Sequence, residues 1–270
     1  MGRRSKRESA HEPAAHSHGP MEALMITQAP VGPVERNSVR LAAVLLLAGV
    51  VVTAIAGFLH VEGADANDHQ SIFAIYAASQ SWTAVHLGQF IGMVIIIFGL
   101  VALFFALDVR SGVGVWLNRF ALLSAGAALA LYGVLQAVDG VGLKQAVNAW
   151  ASADNGDKAA RFAAAETVRW LEWAVRSYQS FVFGLALILF GAVIAVTGRV
   201  SRPIGYLMAL SGLCYLAQGW IIGSSGFSSA LQIPTLLGIG LILIWTVWLL
   251  IAALRMKTAP LAETTSDATT

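Results

Sequence analysis

The stretch AVHLGQFIGMVIIIFGLVALFFAL, residues 84–107, decides the fold of this chain. Its 24 residues include no Asp, Glu, Lys or Arg. A helix needs about 20 mostly apolar residues to cross a hydrocarbon core of about 30 Å, because each residue adds about 1.5 Å. The stretch therefore predicts a transmembrane helix.

Five further stretches have the same character, each at least 19 residues long and free of charged side chains. The six predicted spans are 41–59, 84–107, 120–138, 177–198, 203–223 and 231–254. They show no strand-like alternation and are longer than the strands of a membrane barrel, about 10 residues. The fold class predicted is all-α, a polytopic bundle of six transmembrane helices.

The composition of the 270 residues agrees with a membrane protein. Hydrophobic residues make up 57% of the chain and charged residues 12%, about half the usual share of about 25% in soluble domains. An ordinary soluble enzyme is therefore excluded. The cations are dispersed, so no nucleic-acid partner is expected. The expected partner is the lipid bilayer, with a second copy of the chain or another membrane protein as further candidates.

The distribution of Lys and Arg predicts the orientation. If the N-terminus is cytoplasmic, twelve cations fall on the inside and five on the outside, as the positive-inside rule requires. Both termini are then cytoplasmic. Residues 1–38 and 257–270 are polar and lack an apolar period, which predicts disordered tails on either side of a transmembrane domain at 39–256.

Two segments on the predicted outer side, 61–83 and 139–176, are longer than a hairpin requires. In the first, Asp68 is a candidate N-cap for an amphipathic helical turn, expected to lie on the membrane surface. In the second, the run Asp-Asn-Gly-Asp at 154–157 predicts a turn between two helices. The second of these helices should start near Lys158 and continue into the fourth span, since no Pro or Gly intervenes before Gly184.

A charged face precedes the fourth span. Glu166, Arg169, Glu172 and Arg176 follow one another at spacings of three, three and four residues, which places them on one side of a helix. One interpretation is a solvated ladder of salt bridges. The other is a cover over an outer cavity, with Arg176 as the anion contact nearest the membrane.

The polar side chains with strong hydrogen-bonding capacity that we single out within the spans or at their ends all fall on the predicted outer side. Polar groups buried without a partner are costly, so these groups either reach the interface or meet each other. We predict a polar, outward-facing pocket, with ordinary interfacial placement as the alternative. The pocket candidates are His86, Gln89, Gln136, Asp139, Glu172, Arg176 and Gln179.

A stripe of small residues in the second span supports this pocket indirectly. Gly88, Gly92 and Gly99 share one face, and such stripes let helices pack closely. Packing of this face would turn His86 and Gln89 toward the bundle rather than toward lipid.

Histidines are the weak metal candidates, namely His60, His69 and His86. Imidazoles suit a transition metal or a haem iron, but no tight ligand spacing such as His-x-x-x-His is present. No cofactor is therefore expected, and a metal or haem b is the alternative.

Three segments carry a resemblance to a known group of proteins: AVHLGQF at 84–90, DGVGLKQAVNAWA at 139–151 and VRWLEWAVRSYQ at 168–179. They resemble uncharacterised six-helix membrane proteins of actinobacteria, similar to families described only as domains of unknown function. The resemblance implies a six-helix fold in a bacterial inner membrane and no particular activity.

The sequence leaves three classes of function open. An outward-facing binding, sensor or scaffold protein needs only the polar pocket and is favoured. A membrane-embedded enzyme or a metal- or haem-binding redox protein using His86 is the alternative, although no recognised catalytic motif is present. A small-molecule transporter is disfavoured, because the cytoplasmic halves of the spans offer no polar route.

Overall fold

The computed structural model describes residues 36–61 and 63–256 of the chain, and this described part consists of helices and the turns and loops that join them, without a strand. The predicted tails therefore fall outside it, except that Arg36–Ser38 already form the first turn of α1. The helices are α1 Arg36–Phe58, α2 His69–Ala78, α3 Trp82–Leu107, α4 Val113–Ala137, a π-helix Val138–Leu143, α5 Lys144–Ala151, α6 Lys158–Thr197, α7 Arg202–Ser225, a 3₁₀ turn Ser229–Leu231 and α8 Gln232–Arg255.

Six helical segments of the described part are long and apolar enough to cross a membrane, and each covers one of the predicted spans to within one residue. The all-α, six-span architecture is thus confirmed. The predicted turn at 154–157 and the unbroken helix from Lys158 are confirmed as well, because α5 ends at Ala151 and α6 runs for 40 residues.

The six spanning helices form a closed ring in chain order. Each of α1, α3, α4, α6 and α7 packs against the next, and α8 returns to pack against α1. Neighbours in this ring are antiparallel, because successive spans of one chain cross a membrane in alternating directions and α8 is the sixth span. A ring of six helices leaves room at its centre, and this is where the cavities described below lie.

Glycines set the closest helix contacts in the ring. On the predicted stripe of α3, a Cβ added at Gly99 would lie 2.7 Å from the Leu46 side chain of α1. Helices α6 and α7 approach each other as closely, since a Cβ at Gly212 of α7 would lie 2.7 Å from the Ile188 side chain of α6. Small residues allow such close backbone approach in membranes, where packing rather than the hydrophobic effect holds helices together.

One end of the ring, called here the capped end, is covered by α2 and α5. Asp68 caps α2 as predicted, accepting a hydrogen bond from the Ser71 backbone N–H. The prediction that this helix lies on the membrane surface is wrong, because its apolar side chains are buried against protein. Ile72, Phe73 and Tyr76 pack with Trp82, Leu143, Val147 and Ala165.

Lys144 holds the other terminus of α2. Its Nζ donates to the backbone oxygens of Tyr76, Ala77 and Ser79, each at 2.8 Å. The last carbonyls of a helix have no partner within the helix and carry partial negative charge, so an ammonium there both satisfies and neutralises them. Lys144 therefore ties the C-terminal end of α2 to α5.

Candidate functional site

A π-helix at the capped end gives the site its shape. Residues Val138–Leu143 continue α4 with a wider turn, and such turns leave backbone carbonyls without their usual partners. Two side chains from the first turn of α3 supply donors. Trp82 Nε1 donates to the backbone carbonyl oxygen of Asp139, and Thr83 Oγ1 donates to that of Gly140, both at 2.9 Å. The π-helix is thereby held against α3, so closely that a Cβ at Gly140 would lie 2.6 Å from His86 Cβ.

His86 and Asp139 form a pair across this contact. His86 Nδ1 lies 2.7 Å from the Trp82 carbonyl oxygen, which can only accept, so Nδ1 carries a proton. Nε2 lies 3.0 Å from Asp139 Oδ2. One further proton must lie between these two atoms, on the imidazole or on the carboxyl group. The pair thus holds a shared proton, and His86 is only 2% exposed.

Arg169 and Glu172 form a second pair, joined through Nη1 and Oε2 and both about 3% exposed. The interpretation of this face as a solvated ladder is therefore wrong. The Arg169 guanidinium also lies over the rings of Tyr76, Trp173 and Phe227, at 5.6, 5.8 and 4.9 Å from their centres. It donates to the Ala66 carbonyl oxygen at 3.3 Å as well. The face is buried because the segment before α2 and the turn after α7 fold over it.

A cavity of about 760 Å³, called here the polar cavity, lies beneath this cover. Charged residues line it from two elements: Asp139 of the π-helix, and Arg169, Glu172 and Arg176 of α6. Tyr76 of α2 lines it too, and burial raises the pKa of this phenol to about 12, so it stays neutral at physiological pH.

A second cavity of about 480 Å³, called here the apolar cavity, extends toward the middle of the ring. All six spanning helices contribute to its wall. Its deeper part is apolar and includes Leu46, Ile96, Phe183, Leu187 and Trp245. Both volumes lie in the range of about 300–1,000 Å³ typical of small-molecule sites.

The two cavities meet at four shared residues: Gly57, Gln89, Arg176 and Thr235. Arg176 is the one charged residue among these four. No carboxylate of the described residues lies within ion-pair distance of it, and its Nε has no hydrogen-bond partner there. Arg176 therefore makes no close ion pair where the polar cavity passes into the apolar one, although its charge also acts on the nearby Glu172 carboxyl and Tyr132 hydroxyl groups.

Gln179 follows Arg176 by one helical turn and lines the apolar cavity. It is 1% exposed, and neither its amide oxygen nor its amide nitrogen has a partner among the described residues. A buried polar group in this condition costs about 1–3 kcal/mol. The amide group of Gln136 has a hydrogen-bond partner for only one of its two polar atoms. Its Nε2 donates to Gln89 Oε1 at 3.3 Å, while its Oε1 has no partner among the described residues.

The structure thus brings most of the predicted pocket residues to the two cavities. Those in the wall of one or both are Gln89, Gln136, Asp139, Glu172, Arg176 and Gln179. His86 lies behind Asp139 and lines neither cavity. It contacts the Asp139 carboxyl group from outside the cavity wall.

The histidines do not gather into one ligand set. The His60 ring lies 5.3 Å from the His86 ring, whereas His69 pairs with Glu166 at 3.0 Å. No group of three or more His, Cys, Asp or Glu side chains within residues 36–61 and 63–256 is placed to hold a metal ion.

Sequence reasoning missed several residues of the site. Tyr76, Lys144 and Trp82 are not among the predicted pocket residues. Neither is Arg169, whose face is interpreted from the sequence either as a solvated ladder or as a cover over an outer cavity. Their roles depend on contacts across 57 or more positions in the chain, such as the bond from Trp82 to the Asp139 carbonyl. A lysine or tryptophan in an outer segment carries no local signal of such a contact.

Among curated proteins and among solved structures, nothing matches this chain. A family model does match, over residues 41–253, and the family is described as a domain of unknown function, DUF4386. This match confirms the resemblance drawn from the sequence to families of that kind. The chain is a multi-pass membrane protein, and it belongs to the DUF4386 family.

Proposed function

We propose that this protein binds a small molecule in the joined polar and apolar cavities, and that the capped end faces the outside of a bacterial inner membrane. The observation that carries the proposal is Arg176, which lines both cavities without a carboxylate partner among the described residues. Arg176 is partly buried beside the apolar cavity, where a cation without a close ion pair favours a bound ligand that neutralises it.

The orientation rests on the positive-inside rule. By sequence, the segments that adjoin the capped end carry five of the chain's cations, and those that adjoin the other ends of the spans or extend beyond the first and last span carry twelve. The bilayer is the proposed environment, since large apolar side chains such as Phe58, Phe98 and Phe105 are exposed around the ring. In this orientation a ligand reaches the cavities from the outer side of the membrane.

Labelling with a membrane-impermeant maleimide tests the orientation. Cys214→Ala removes the single native cysteine. In that background, Asp65→Cys at the capped end and Ser111→Cys at the opposite end both replace exposed residues. In intact cells, position 65 should label and position 111 should not. The reverse pattern would overturn the outward orientation.

Native mass spectrometry of the protein purified in a mild detergent tests binding. Gly57 lines both cavities, and a Cβ there would meet no atom within 4 Å. Gly57→Trp should block the junction and abolish retention of the bound molecule. Gly126 is the matched control, since a Cβ there also meets nothing, but it lines neither cavity. Equal retention by both variants, or no retained molecule in the wild type, would refute the proposal.

The His86–Asp139 pair favours a second candidate, an enzyme in which Asp139 exchanges a proton with the bound molecule. Asp139 lines the polar cavity, and His86 holds its carboxyl group through a shared proton. An enzyme lacking this group should retain substrate in place of product. A retained molecule of different mass in Asp139→Asn supports the enzyme, whereas identical masses in variant and wild type support binding alone.

A further inference from the structure

We infer that the ligand is an anionic amphiphile, with a carboxylate or phosphate group at Arg176 and a hydrocarbon chain in the apolar cavity. This inference rests on the proposed binding function and adds the chemical class of the ligand. It follows from four features of the cavities: the positive charge of Arg176, the buried amide of Gln179, the decrease in polarity along α6, and the contact between α1 and α8.

The charge at the junction is positive once the pairs are assigned. Two carboxylates line the polar cavity, and each already has a partner: Asp139 bonds His86, and Glu172 is held by Arg169. Arg176 forms no such close pair in the described part of the chain, and the Glu172 carboxyl group that its charge also reaches is already held by Arg169. An anionic oxygen is the group that a guanidinium binds most strongly, through charge-assisted hydrogen bonds.

Gln179 points to the same ligand. It lies on the same face of α6 as Arg176, three residues further on. Its amide nitrogen is a buried donor without a partner among the described residues. A head group that accepts hydrogen bonds from both side chains would satisfy two donors, Arg176 Nε and Gln179 Nε2, that have no partner among the described residues.

The wall becomes apolar with depth. Arg176, Gln179, Phe183 and Leu187 follow one another along α6 and all line the apolar cavity. Eleven residues of helix separate the first from the last, about 16 Å at 1.5 Å per residue. This depth is close to half of a hydrocarbon core of about 30 Å. The apolar cavity therefore has the length of a chain from one leaflet.

The contact between α1 and α8 offers a route from the lipid. At the end opposite the cover this contact is closed, where Arg40 donates to the Ala253 and Leu254 carbonyl oxygens. Toward the capped end, residues of both helices line the apolar cavity and are also exposed on the outside of the ring, namely Ala54, Phe58, Ile239 and Leu243. A chain can enter here without crossing the polar cover.

Binding of chosen probes to the full chain in dodecyl maltoside micelles tests the inference. The probes are oleate, oleyl alcohol with the same chain and no charge, acetate with the charge and no chain, and phosphatidylglycerol as a phosphate-bearing lipid. We expect the wild type to bind oleate at least about tenfold more tightly than oleyl alcohol, and acetate not at all. Tight binding of phosphatidylglycerol instead of oleate identifies the phosphate source within the same class.

Arg176→Gln should abolish the preference for oleate over oleyl alcohol. Arg161→Gln, an exposed position on the same helix, should keep it. The ratio of the two affinities is informative even if the variant is less stable, because both probes meet the same protein. An undiminished preference in Arg176→Gln would overturn the inference.

Two results distinguish a wrong ligand class from a wrong binding function. If Gly57→Trp blocks retention of the native molecule but the wild type binds oleyl alcohol as tightly as oleate, the cavity binds ligands and the anionic class is wrong. If Gly57→Trp and Gly126→Trp retain the molecule equally, the binding function itself is wrong.

Discussion

Replacing Arg169 by methionine tests whether the charged face of α6 is as dry as the structure indicates. The substitution keeps an unbranched side chain against the rings of Tyr76, Trp173 and Phe227 but removes the charge. Glu172, 2% exposed, then loses the guanidinium that holds its carboxylate. Breaking a buried ion pair by removing one partner costs about 3–5 kcal/mol.

The lower part of that range is the appropriate expectation here. Glu172 borders the polar cavity, where water can reach part of its surroundings. The bond from Arg169 to the Ala66 carbonyl oxygen is long, at 3.3 Å, and adds little. We therefore expect Arg169→Met to lower the free energy of unfolding by about 3 kcal/mol.

Unfolding in mixed dodecyl maltoside and dodecyl sulfate micelles, followed by circular dichroism, measures this quantity. The double variant Arg169→Met/Glu172→Leu is the control, because it removes both charges and should recover to within about 1 kcal/mol of wild type. A cost below about 1 kcal/mol for Arg169→Met alone would be typical of an exposed pair. That result would refute the buried pair and restore the solvated ladder.

Three further predictions concern packing, the cover and pH. Gly212→Leu should destabilise the bundle by about 1–3 kcal/mol through overpacking against α6, while Gly126→Leu, at a glycine with open space, should unfold like wild type in the same micelles. Lys144→Met should remove the cap from the C-terminal end of α2. A local contribution of about 1.4 kcal/mol corresponds to a rise of about tenfold in the rate of amide hydrogen exchange in the last turn of α2. An unchanged exchange rate would mean that water replaces the ammonium group. The pKa of Tyr76 is raised from 10.0 to about 12, so its stabilising contribution is complete below pH 10 and is lost as the pH rises from 10 to 12. Wild type should therefore lose about 2–3 kcal/mol more than Tyr76→Phe over this interval, and parallel stability curves for the two proteins would count against a buried phenol.

The six spans could be read from the sequence because the bilayer imposes one length and one composition on every crossing segment. The 40-residue helix α6 was readable for a local reason, the absence of Pro and Gly between Lys158 and Gly184. The turn at 154–157 and the cap at Asp68 were equally local, since both depend on side chains bonding backbone groups a few residues away.

The candidate site was predictable only as a set of residues on one side of the membrane. Periodicity placed Glu166, Arg169, Glu172 and Arg176 on one face of a helix, but it could not say what covers that face. In the structure, protein from the segments before α2 and after α7 covers Arg169, and so a pattern typical of solvated helices encloses a cavity.

The sequence by itself determined the number, length and class of the helices, because hydrocarbon thickness and local turn chemistry act on neighbouring residues. The tertiary structure alone decided the π-helix, which needs donors from Trp82 and Thr83 in another helix. It also decided that His86 supports Asp139 from behind the cavity wall. The joined cavities depend on how six helices close into a ring, and the space between packed surfaces is a property of no single segment.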